Sequence, residues 1–241
     1  MAVLTGKTVG QWAVENPAAT RTFEKFGIDY CCGGNRQLDE ACNSAGVSVD
    51  KVLDSLEMDG AAARSSQSAH DWQREPLSEL ISHIRNTHHK FVREETVRLA
   101  ALLQKVVSVH GRNHPELFDL QTTFAALAQE LSTHLMKEEM VLFPYVIRME
   151  EAVTEKEPVV PAPFGTVANP VAMMEHEHDS AGNALRAMRQ TSNDYAPPEE
   201  ACASYKTLYN ALAEFEADLH QHIHLENNIL FPRAIAMEKG R

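Results

Sequence analysis

The sequence predicts an all-α protein, a four-helix bundle preceded by a small helical domain. Three observations carry that prediction. One stretch is written twice, with helical spacing in both copies. From Leu77 onward apolar residues recur at helical intervals, without strand-like alternation. A proline-rich connection then divides this long region near its middle, as four long helices with a longer middle connection require.

Composition bounds the reading. A chain of 241 residues is long enough for a large domain plus a small one. Hydrophobic residues make up 44% and charged residues 23%, which suits a globular chain. A formal net charge of −12 argues against a nucleic-acid partner. The first ten residues contain no apolar core of a secretory signal, and no apolar run approaches the roughly 20 residues of a membrane span. Four cysteines in a chain this size are not a disulfide framework. The expectation is a reduced, cytoplasmic protein without a membrane partner.

Residues 1–60 read as the small helical domain, 61–76 as a linker and 77–241 as the bundle. Thr8 is placed to cap a short helix carrying Trp12 and Val14. Asn16-Pro17 is a cap followed by proline, opening a helix that Gly27 ends. The segment Asp29-Tyr30-Cys31-Cys32-Gly33-Gly34 is a loop, because paired glycines punctuate. Two more short helices follow, Leu38–Ser44 and Val49–Glu57. The run from Gly60 to Ala69 is a flexible linker. A unit this small is expected to have little core of its own and to dock on the larger domain.

The first bundle helix spans Leu77 to Val109, and Gly111 to Pro115 breaks it. The second begins at Glu116, and Pro144 is expected to kink or interrupt it. The segment from Glu155 to Pro170, with prolines at 158, 161, 163 and 170, is the crossover. The third helix runs from about Val171 to Gln190, and the fourth follows a loop over 191–198.

The doubled stretch reads His134-Leu-Met-Lys-Glu138-Glu-Met-Val-Leu142-Phe143-Pro144 and His222-Ile-His-Leu-Glu226-Asn-Asn-Ile-Leu230-Phe231-Pro232. In each copy a glutamate follows the histidine by four and a leucine by eight, so all three share one helix face. Burying an unpaired carboxylate costs several kcal/mol, so a chain that does it twice has a cation to hold. The repeat is larger still: His89 lies 45 residues before His134, and His178 lies 44 before His222. Two helical hairpins thus bring four imidazoles and two carboxylates to one core, enough for two metals with open positions. Mixed imidazole and carboxylate donors favour iron, ahead of manganese and zinc.

With the Cys-Cys loop ahead of them, His89, His134, Glu138, His178, His222 and Glu226 resemble the Repair of Iron Centres family. These are hemerythrin-like di-iron proteins with an N-terminal ScdA-type domain, implicated in restoring iron–sulfur clusters after nitrosative and oxidative stress. The resemblance covers nearly the whole chain. It implies two non-haem irons per chain, oxo- and carboxylate-bridged, with Glu138 and Glu226 as bridges and His89, His134, His178 and His222 as terminal ligands. It implies damaged iron–sulfur proteins as partners, NO or oxygen as small ligands, and an electron donor that the sequence does not name. Two functions follow: supply of iron for cluster repair, or reduction of NO to nitrous oxide. A third is non-catalytic oxygen or NO binding. Oxygen-carrying hemerythrins use a fifth histidine, and with twelve histidines an extra ligand stays open.

His88 is the alternative to His89, since only one of two neighbours faces a core squarely. His220 and His224 are expected to point to solvent or to a helix neighbour, and His176 away from the site. His110 reads as a histidine at a helix C-terminus. Glu177 has two readings, a solvated glutamate or a proton carrier at the mouth of the metal cavity. Cys31 and Cys32 also have two: a thiol pair that relays electrons or holds a metal or nitrosyl in transit, or structural cysteines near a turn. Cys42 and Cys202 read as inert small hydrophobes.

Overall fold

The computed structural model describes residues 6–63, 70–159 and 161–240, the side chains of 59–63 excepted. Among them the regular structure is helical: α1 (Val9–Glu15), α2 (Ala19–Phe26), α3 (Leu38–Ala45), α4 (Val49–Ala63), α5 (Leu77–Ile84), α6 (Lys90–His110), α7 (Glu116–Lys137), α8 (Phe143–Glu155), α9 (Ala168–Thr191), α10 (Ala203–Leu225) and α11 (Phe231–Lys239). None of these is long and apolar enough to cross a membrane. The chain divides into two compact units, Met1–Leu80 with His220–Arg241, and Ile81–Leu219.

In the second unit α7 packs against α6 and α9. The reason lies in strict alternation of three- and four-residue steps. On α7 the buried residues are Leu117, Leu120, Phe124, Leu127, Leu131 and then His134. On α9 they are Val171, Met174, His178, Ala181, Leu185 and Met188. On α10 the row Tyr205, Leu208, Leu212, Phe215 and Leu219 runs on to His222 and Glu226. Such a row is a helix's core-facing stripe. Each leucine on it contributes about 1.5–3 kcal/mol on burial, which offsets the cost of the polar groups at its end.

Among the described residues three short π-helical turns interrupt the α-helices: Arg85–His89, Glu138–Leu142 and Glu226–Leu230. The first bundle helix is therefore not one α-helix from Leu77 to Val109. Pro144 does not break the helix either. It sits in the first turn of α8, directly after the second π turn, and Pro232 stands likewise in α11. Proline is tolerated in a helix's first turn because the N–H it lacks has no partner there.

In the first unit α2 and α3 pack on α4. Thr8 caps α1 in a capping box with Gln11, and Gly27 ends α2 at φ 64°. Asn16-Pro17 forms a turn rather than the helix start, since α2 begins at Ala19. The unit has a core of its own, against expectation. Val9, Phe23, Ile28, Tyr30, Leu38, Cys42, Val52 and Leu56 are buried together. Helix α4 continues to Ala63, past the expected end at Glu57, and residues 64–69 of the expected linker lie outside the described residues.

Candidate metal centre

Four of the six residues belong to the second unit and are buried there. The π turns deliver two of them: His89 closes the first and Glu138 opens the second. Glu138 lies between two imidazoles, with Oε2 3.4 Å from His89 Nε2 and Oε1 3.4 Å from His134 Nε2. Among the described residues neither oxygen has a hydrogen-bond partner. A fully buried carboxylate left so would cost several kcal/mol, which is the condition a cation relieves.

His134 Nε2 and His178 Nε2 face each other at 3.0 Å. Two nitrogens bound side by side to one metal at about 2.1 Å each lie about 3.0 Å apart, so the spacing suits shared coordination. The outer nitrogens are also fixed. His134 Nδ1 lies 2.8 Å from Glu177 Oε2, and Lys137 pairs with the other oxygen. His89 Nδ1 lies 2.8 Å from Glu139 Oε1, with Arg93 on the other oxygen at 2.8 Å. A carboxylate that accepts a hydrogen bond from Nδ1–H fixes the tautomer in which Nε2 is bare for a metal. Burial pushes the Glu177 and Glu139 carboxyls up, but bonds from Lys137 and His134, and from Arg93 and His89, outweigh it and hold both below the usual range. In the first unit His222 Nε2 stands 3.2 Å from Glu226 Oε1, both residues buried.

Other histidines go elsewhere. His88 is buried as well, but its Nδ1 turns to Asp218 Oδ1 at 3.0 Å. His176 is exposed. His220 and His224 do not face open solvent: His220 Nδ1 meets Glu24 Oε1 at 2.8 Å, and His224 is buried edge-on to Tyr30. Burial pushes His224 down to about 4. Glu177 is half-buried and paired rather than simply solvated. Cys42 is a buried core residue as expected, whereas Cys202 is exposed, 3.1 Å from His110 Nε2.

The Cys-Cys loop is tied to the segment that follows Glu226. Asn228 Nδ2 donates to the Tyr30 carbonyl at 3.1 Å, and Asn227 Nδ2 to that of Cys31 at 3.3 Å. The approach is close enough to require glycine. A Cβ on Gly10 or Gly34 would stand 2.4 or 2.5 Å from Asn228 Oδ1. This explains how the two copies of the repeat diverge. Where the second has Asn227 and Asn228, the first has Glu139, which serves His89, and Met140, which is 73% exposed.

The family described as the Hemerythrin HHE cation binding domain matches residues 79–234. ScdA_N, described as a domain of unknown function, matches residues 5–59. The iron-sulfur cluster repair protein YtfE of Pectobacterium atrosepticum is 36% identical over 232 residues, 96% of this chain and 98% of the relative. That of Yersinia pseudotuberculosis is 36% identical over 233 residues with the same shares. That of Pectobacterium carotovorum subsp. carotovorum is 35% identical over 232 residues, also covering 96% and 98%. The chain belongs to the Repair of Iron Centres family. As in other Repair of Iron Centres proteins the fold is an all-α hemerythrin-like bundle with a small helical N-terminal part. Sequence reasoning about this Repair of Iron Centres chain missed Glu139 and the Asn227-Asn228 pair. The paired glutamates at 138–139 and the mismatch between the two copies were the signals that could have found them.

Proposed function

We propose that this chain is a di-iron protein that repairs iron–sulfur clusters damaged by nitrosative or oxidative stress, by supplying iron. The observation that carries this reading is that proteins named for cluster repair match 96% of the chain, Cys-Cys loop and bundle alike. As the family resemblance implies, His89, His134, Glu138, His178, His222 and Glu226 would together hold the two irons. On that reading Glu138 and Glu226 would be the carboxylates that both irons share. The presentation of one Glu138 oxygen to His89 and the other to His134 supports this for the first. A family match that runs unbroken from 79 to 234 supports one site built from all six.

Iron bound there supplies one-electron chemistry and open positions for NO or oxygen. The chain supplies the rest. Glu139 Oε1 and Glu177 Oε2 hold the Nδ1 protons of His89 and His134. A cavity of about 510 Å³ lined by His134, Lys137, Glu177 and His178 gives a small molecule a way in. Glu177 sits on that wall, where its pairing with Lys137 keeps it ionised and its bond with His134 Nδ1 keeps that imidazole oriented. Cys31 and Cys32 act in passing iron on, and the cytoplasm is the compartment that keeps them reduced.

The test is reactivation of an aconitase-type enzyme damaged by NO, with nitrous oxide followed in the headspace. Recovered activity that scales with the iron-loaded protein, without nitrous oxide, is the result expected. Catalytic nitrous oxide formation without reactivation would replace this reading by NO reduction.

A further inference from the structure

We propose that Asp29, Cys31 and Cys32 form a second metal site, a cradle of two thiolates and one carboxylate for a thiophilic divalent cation. One ligand atom from each of the three lies within 4.8 Å of the other two. The two sulfurs stand 3.9 Å apart. That is far beyond a disulfide's roughly 2.0 Å. It is close to the roughly 3.8 Å between two sulfurs on a tetrahedral metal with bonds of about 2.3 Å.

The backbone holds this geometry in place before any ligand arrives. Asp29 Oδ1 accepts the backbone N–H groups of Cys32 and Gly33, each at 2.9 Å, and lies 3.4 Å from Cys31 Sγ. The aspartate is thereby folded back over its own loop, as short acidic side chains do in turns. Gly33 is required for that fold, because a Cβ there would meet the Asp29 carbonyl at 2.9 Å. Hydrogen bonds from Asn227 and Asn228 fix the loop from outside. Cys31 is buried and Cys32 half-buried, so the cradle has a closed floor and one accessible sulfur.

Binding exchanges protons only. Each thiol loses one proton to solvent as its sulfur bonds the cation, and no oxidation state changes. Three donor atoms on a four-coordinate cation leave one position for water or a group on a client. Without a cation, the hydrogen bond with Cys32 and burial push the Cys31 thiol well up, so Cys31 rests as a thiol. A bound dication reverses that preference.

The inference deepens the repair reading, on which it rests only for its purpose: the cradle is where iron in transit is held. The probe is cobalt(II), added to the full chain after its iron has been loaded and oxidised. One further metal is expected to bind, with thiolate-to-cobalt charge-transfer absorption. Cys31→Ser and Cys32→Ser should each abolish that absorption while the iron content stays at the wild-type level. Cys202→Ser should leave it unchanged. Asp29→Asn keeps an acceptor for the loop N–H groups but removes the charge, so it should weaken cobalt binding roughly tenfold while the chain stays folded. Absence of the absorption in the wild type, or its survival in the Cys31→Ser, Cys32→Ser double variant, overturns the site. A chain that fails to load iron yet shows the cobalt–thiolate signature would sink the di-iron reading and sustain this one.

Discussion

Glu139 and Glu177 do the same work for different histidines. Each accepts a hydrogen bond from the Nδ1–H of one imidazole and gives its other oxygen to a cation, Arg93 or Lys137. Glutamine at either position keeps the shape and loses the charge that makes the imidazole a stronger donor. Glu139→Gln and Glu177→Gln should therefore weaken iron retention about 10–100-fold without unfolding the chain. Competition with a chelator measures this, and unchanged affinity in both variants would remove their positioning role. A second expectation concerns Cys31, whose thiol is pushed up by its bond with Cys32 and by burial. A raised thiol value means less thiolate at a given pH, so Cys31 in the metal-free protein should alkylate more slowly than exposed Cys202 at pH near 8.5, the ordinary thiol value. Its rate should climb only in more alkaline solution, as peptide mass spectrometry would follow. Equal rates at both cysteines would contradict it. The buried histidines and glutamates were legible at this scale because they continue rows of leucine. Glu139 behind His89 was not, nor was the pairing of Glu177 with His134, since a residue one step along a helix ordinarily faces elsewhere, and its partner lies on another helix.

At the scale of elements, helices α6, α7, α9 and α10 could be read from their apolar steps, but the π turns could not be read from propensity. They leave a faint trace in spacing. Buried positions elsewhere alternate three and four, whereas Ile84, His88 and Val92, then His134, Glu138 and Leu142, then His222, Glu226 and Leu230, each step by four twice. The repeated four marks the extra residue, and π turns recur at functional positions. The same feature decides what Pro144 does. In an α-helix interior replacing proline by alanine would stabilise by about 3 kcal/mol. Directly after a π turn, in the first turn of α8, Pro144→Ala should change stability by less than about 1 kcal/mol. Urea unfolding of the metal-free protein decides between them, and a gain near the larger figure would mean that the proline strains the helix after all.

At the scale of the whole molecule, the sequence places all six residues beyond position 76, which suggests that the first seventy residues are dispensable for iron. The fold argues otherwise. His220, Asn227 and Asn228, around His222 and Glu226, bond to Glu24, Cys31 and Tyr30. That tie was illegible because it joins residues nearly two hundred positions apart with no shared pattern. Losing three such bonds at roughly 1 kcal/mol each amounts to about 3 kcal/mol. For a chain of this size that lowers the melting midpoint by about 6–12 °C. A chain begun at Asp71 should melt lower by that margin and release iron faster to a chelator, and melting at the full-length temperature would contradict the tie. The central claim, two irons bridged by Glu138 and Glu226, is tested most directly by the iron content and Mössbauer spectrum of the full chain beside Glu138→Leu and Glu226→Leu. The account predicts two coupled irons per chain in the wild type and at most one, uncoupled, in each variant. Two coupled irons retained in both variants would contradict it.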